Sequence, residues 1–161
     1  MTATVQINRK GEKRWRAGHP WIFRSDVRPP AEGEAPPAGA LVRVRGARSN
    51  LGWAAWSTTS LMAVRRVPLP AGLEPEEGWL ALVDAAIDRR ADRGSTARLI
   101  NGDADGLPGL IVDRYGPGLS VQALSQVAGA CLDAVVERLV ARFAPQVVAL
   151  RNDVKVTRHE E

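Results

Sequence analysis

Lys10, Lys13, Arg14 and Arg16 fall within seven residues, with Trp15 among them and His19, Trp21 and Arg24 close behind. Ammonium and guanidinium groups neutralise phosphates, and aromatic rings stack on unpaired bases. Residues of these types at this density point to a polyanion, and the accompanying rings favour RNA. Lys10 and Arg14 stand four apart, Lys13 and Arg16 three apart, so on a helix each pair shares a face. Arg28 extends the basic surface. Ile22 and Phe23 read as core. Trp21 reads equally as core or as contact, because Trp is largely buried in most folds.

Other chemistry is poorly supported. Cys131 sits in Gly129-Ala130-Cys131-Leu132 with no positioned base, so it reads as a small buried hydrophobe and not as a nucleophile. His19 and His159 are too few and too isolated for a metal site or a triad. Asn101, Asp103, Asp105 and Gly106 imitate the start of a calcium loop. Its twelfth position is Val112, however, and Pro108 interrupts it, which argues against calcium. These residues read as turn formers, with contact to RNA or a further domain as the alternative for Asp105 and Asp113. There is no G-x-G-x-x-G and no doubly wound series, so no catalytic, cofactor or metal residue is assigned.

The elements that must position the basic run follow from pattern. Residues 4–7 read as a strand. Gly11 and Gly18 bracket a short helix, with Gly18 just past its end. Residues 41–45, 51–56 and 61–67 read as strands, giving a small basic β-domain. The Pro-rich 68–75 reads as a linker. Trp79, Leu80, Val83, Ala86, Ile87 and Arg90 recur at helical spacing, with Glu76 and Glu77 at the start and Arg89, Arg90 and Arg93 at the end. Residues 98–101, 110–115 and 119–124 read as strands separated by obligatory turns. Ser125 caps a second helix that runs through Phe143 to Pro145. Residues 147–150 form a final strand, and 154–156 begin another. An unpaired edge near Val154 would invite a homodimer.

Length and composition allow one ordinary domain or two small globular ones. Residues 1–70 carry a net charge of +8 and residues 71–161 carry −4, so the first half faces a polyanion. A single cysteine fits a reducing compartment, and no run suits a signal peptide or membrane span, so the expected location is cytoplasmic with no membrane partner.

Residues 101–116, Asn-Gly-Asp-Ala-Asp-Gly-Leu-Pro-Gly-Leu-Ile-Val-Asp-Arg-Tyr-Gly, resemble the central-domain signature of the RlmI-type 23S ribosomal RNA methyltransferases. That family methylates C5 of a cytosine with S-adenosylmethionine. His19-Pro-Trp-Ile-Phe23 and Arg151-Asn-Asp153, followed by Arg158 and Glu160, support the match in the same order. The resemblance implies an α+β chain: a small PUA-like β-barrel over 1–70, then an α+β strand-strand-helix-strand domain over 74–161, truncated at its last strand. In the family, S-adenosylmethionine and the nucleophilic cysteine belong to a separate Rossmann-like domain, expected to be absent here. Ribosomal RNA is then the expected partner, recognised through Lys10, Lys13, Arg14, Arg16, His19, Trp21 and Arg24, with no methylation by this chain alone. Two other readings stay open: a stand-alone RNA- or ribosome-binding module, and a protein-interaction domain whose basic face docks an acidic partner.

Overall fold

A computed structural model describes residues 2–30, 35–90 and 92–151. The fold is mixed α/β with two sheets. The first contains β1 (Thr4–Gln6), β2 (Trp21–Ile22), β3 (Leu41–Arg45), β4 (Asn50–Trp56) and β5 (Val64–Val67), in the order β1-β3-β4-β5-β2. β1 runs parallel to β3, and the remaining pairs are antiparallel. Helix α1 (Arg9–Arg16) lies between β1 and β2 in the chain.

Residues directly opposite in a ladder share a face. Val42, Ala54 and Arg66 therefore point one way, while Leu41, Ala55, Arg65 and Trp21 point the other. The inner face builds the first core with Val5, Trp15, Ile22, Val42, Val44 and Val64. Each large side chain fully removed from water there contributes roughly 1.5–3 kcal/mol. The outer face is used differently. Ala55 and Val67 are buried in the second core, and Leu41 packs against it.

That second core lies under α2 (Pro75–Asp88), whose Trp79, Val83, Ala86 and Ile87 are fully buried. It meets a sheet ordered β6-β7-β8-β9: Thr96–Asn101, Leu110–Tyr115, Gly118–Ala123 and Val147–Leu150. The first three strands are antiparallel, and β9 lies parallel to β8. The crossover between β8 and β9 is helical, as a parallel pair requires. The expected single helix is divided at Cys131 into α3 (Gln126–Ala130) and α4 (Leu132–Phe143). Ser125 caps α3 as expected: its hydroxyl accepts from the Ala128 N–H at 3.3 Å and donates to the Pro108 carbonyl at 2.7 Å.

The two halves meet at α3. The Gln126 side-chain oxygen accepts from the Thr58 N–H at 2.9 Å, and its amide nitrogen donates to the Thr58 and Thr59 hydroxyls. Gly39 (φ +76°) passes so close to the Gln126 backbone that a side chain would collide with it.

Three further expectations are corrected. Gly11 lies inside α1, where a Cβ would stand 3.2 Å from that of Asp26; the helix begins instead at the cap Asn8, whose side chain accepts from the Gly11 N–H at 2.8 Å. Phe23 is 39% exposed, not core, with Arg14 over its ring. Strand β5 starts at Val64, because residues 57–62 are held in a turn by Ser57 and Ser60. Asn152, Asp153, the strand expected at 154–156 with its edge, Arg158, His159 and Glu160 lie outside the described residues.

A basic surface built on the first helix

Helix α1 is fixed at both ends and on two sides. The Trp15 indole is buried, its N–H donating to the Leu51 carbonyl at 2.8 Å. The Arg66 guanidinium lies over that indole, 4.2 Å from the ring centroid, and donates to the Trp15 carbonyl. Burial lowers the pKa of Arg66 from its ordinary value. Glu12 ties the helix to the β3–β4 turn, accepting from the Ala47 N–H at 2.9 Å and from Arg16 at 2.8 Å. Those bonds, the Ala47 N–H first and Arg16 second, hold its carboxyl below the usual range.

Four further residues of the predicted contact set divide by role. Arg14 turns inward: its Nη1 stands 2.6 Å from Oδ2 of the buried Asp26. Arg24 turns inward too, donating to the carbonyls of Ser57 at 2.7 Å and Ser60 at 2.9 Å. Their donors are engaged in the fold. Lys10 keeps 68% of its side chain exposed, with Nζ 3.9 Å from Asp26. Lys13 is exposed and has no ion-pair partner among the described residues.

Arg16 is half-neutralised by Glu12 yet remains exposed, and also donates to the Ser49 hydroxyl. His19 is exposed at the turn after the helix. Trp21 is half-buried opposite Arg65 on the sheet's outer face, away from the α1 cations.

The structure adds two cations, Arg9 and Arg48, that the residue pattern did not single out. Arg9, Lys10, Lys13, Arg16, Arg28 and Arg48 line one open depression between α1, the β3–β4 turn and the segment after Asp26. Glu12 is the acidic residue of that lining, and it is already bonded. The depression can therefore take several anionic groups at once, but it holds no buried base or nucleophile.

The residues weighed for other roles are accounted for inside the fold. Asp105 is buried, accepting from Arg89, from Arg90 twice and from the Asn101 N–H. Burial alone would raise its pKa, but bonds from Arg90, Asn101 and Arg89 outweigh this and lower it. Asp113 pairs with Arg98 through both carboxylate oxygens, at 2.8 and 3.1 Å, and this bond raises the pKa of Arg98. Burial, with Glu76 nearby, pushes the Cys131 thiol up to about 11. Among the described residues no group of three acidic, His or Cys side chains is placed to hold a metal.

Among the described residues, the glycine-rich connection 102–109 does not fit S-adenosylmethionine. It joins two antiparallel strands and does not lead into a helix N-terminus. Its buried carboxylate, Asp105, is already bound by arginines. No described helix is long and apolar enough to cross a membrane.

The chain is similar to known proteins. A PUA-like domain family matches residues 5–67. Ribosomal RNA large subunit methyltransferase I of Shewanella frigidimarina is 32% identical over 171 residues, covering 99% of this chain and 42% of that protein. A ribosomal RNA large subunit methyltransferase of Deinococcus radiodurans is 30% identical over 157 residues, covering 91% of this chain and 38% of that protein. Among solved structures, SMU.776, described as a methyltransferase and crystallised with SAH, superposes with a TM-score of 0.71 at 16% identity over 93% of this chain and 40% of its own. That likeness establishes a shared fold. Over nearly its whole length the chain is similar to proteins named ribosomal RNA large subunit methyltransferase I, it matches a PUA-like domain family over residues 5–67, and it spans 42% of the length of the Shewanella relative.

Proposed function

We propose that this chain recognises and orients ribosomal RNA for a large-subunit methyltransferase, and that the α1 depression is its contact surface. The observation that carries this reading is the convergence of Arg9, Lys10, Lys13, Arg16, Arg28 and Arg48 on one open surface whose acidic residue is already bonded. Such a surface binds phosphates by charge and releases counterions, so affinity falls with salt. In this reading residues 1–70 form the RNA-gripping domain and residues 74–161 the central domain that carries it. S-adenosylmethionine and the cysteine chemistry belong to a Rossmann-like domain outside the span of this chain, and this chain alone does not methylate. The place of action is the cytoplasm, where ribosomal RNA is found.

The test is binding of the chain to 23S ribosomal RNA fragments across a salt series. The logarithm of affinity should fall linearly with the logarithm of salt concentration. Binding that is indifferent to salt, or equally tight to an acidic polypeptide, would overturn the proposal and favour a protein partner.

A further inference from the structure

The outer face of the first sheet carries a second feature that the α1 depression does not use. Thr4, Arg43, Trp53 and Val67 form one cross-strand row. Its Val67 end is buried in the second core. Its other end is open: Trp53 is half-buried and Arg43 is exposed. The guanidinium carbon of Arg43 sits 3.9 Å from the Trp53 ring centroid, at van der Waals contact. Arg45 follows on the same face beside Gln6, both exposed. Neither Arg43 nor Arg45 has an ion-pair partner among the described residues.

This feature connects to the α1 surface. Arg28 lines the α1 depression and also a cleft that holds Thr4, Gln6 and Arg45. A chain of phosphates lying along α1 therefore meets Arg28, then Arg45, then the Arg43–Trp53 stack, and among the described residues the one acidic side chain in either lining is the bonded Glu12.

We propose that the Arg43–Trp53 stack is a platform for an unpaired nucleobase of an RNA whose backbone lies on α1. The proposal rests on the RNA-binding reading of α1. Guanidinium planes and indoles both stack on bases. Here the indole supports the guanidinium from below, so the outer plane is fixed before the base arrives and little side-chain freedom is lost on binding. A stack that served only to hold strand register would explain the contact. It would not explain why the stacked Arg43 and its neighbour Arg45 both lack an ion-pair partner among the described residues, on a route leading to the cations of α1.

The experiment compares two probes by fluorescence anisotropy: a blunt RNA hairpin, and the same hairpin with a single-stranded adenosine tail. The unaltered chain should bind the tailed hairpin roughly tenfold more tightly. Trp53→Leu should abolish that gain and leave binding of the blunt hairpin and its salt slope unchanged. Arg43→Lys keeps the charge but removes the plane, and it should lose most of the gain. Trp53→Phe keeps a ring and should retain most of it. Equal binding of the two probes by the unaltered chain would overturn the platform while leaving the α1 reading intact. A tail-dependent gain that survives both Trp53→Leu and Arg43→Lys would do the same. Salt-independent binding of both probes would overturn the α1 reading, and the platform with it.

Discussion

Arg14 and Asp26 lie twelve residues apart in sequence and 2.6 Å apart in space, and this pair ties the basic helix to the segment that leads away from β2. Asp26 is 3% exposed, and it also accepts from Asn8, the N-cap of α1. Removing it strands a guanidinium and frees the cap. Asp26→Ala should destabilise the fold by about 3 kcal/mol, read as a shift in the urea midpoint with unchanged slope.

Arg14 and Lys13 should separate stability from binding. Arg14→Ala should lower stability and spare most of the RNA affinity, because its charge is spent inside the fold. Lys13→Glu combined with Arg48→Glu should do the reverse. Stability should stay within about 0.5 kcal/mol, while RNA affinity drops and the salt slope shrinks by roughly one per lost phosphate contact. Equilibrium unfolding and filter binding on the same preparations read both quantities.

Acid should weaken the fold through Asp105. Arginine and backbone bonds hold its pKa below the ordinary value despite burial. A carboxyl lowered by folding contributes stability fully present above the unfolded value near ~3.9 and lost as pH falls through the folded value. Asp105→Asn should therefore cost about 3 kcal/mol near neutrality, and its gap from the unaltered chain should narrow below pH ~4. Urea titrations at a series of pH values measure that gap.

Cys131 should be inert in the folded chain. Its thiol, pushed up to about 11, is almost wholly protonated at pH ~8. A disulfide reagent should label it slowly in buffer and rapidly in denaturant. Cys131→Ala should leave RNA affinity unchanged.

Much of this was legible in the residues. The strand at 41–45, the α2 face, the Ser125 cap and the hairpin 110–123 follow from local alternation, helical spacing and turn chemistry, and each stands where the pattern puts it. What local pattern could not supply is the partner of each charge. Lys13 and Arg14 are neighbours of one type in the sequence, and only the distant Asp26 draws Arg14 inward. Arg24 is claimed by backbone carbonyls at 57 and 60, which no residue type announces.

Arg28 and Arg48 join the surface through tertiary approach, and Arg9 through its place at the start of α1. Arg48 left one signal, a β3–β4 turn with arginines at 45 and 48 and no acid. Gly11 misled because glycine usually breaks helices, whereas here it admits Asp26 and Ile22. The break at Cys131 had a signal in Gly129, which weakens the helix before it.

The outer face of the first sheet also bears on how this chain can be inherited or recombined. Leu41, Ala55 and Val67 lie within the stretch that matches a PUA-like domain, yet they pack with the core beneath α2. The boundary of the family match is therefore not the boundary of the hydrophobic unit. A chimaera that replaced residues 5–67 with another PUA-like domain would exchange α1 together with the strands that face the second core. It would lose cohesion unless the incoming strands carried apolar residues at those three positions and a small residue at Gly39.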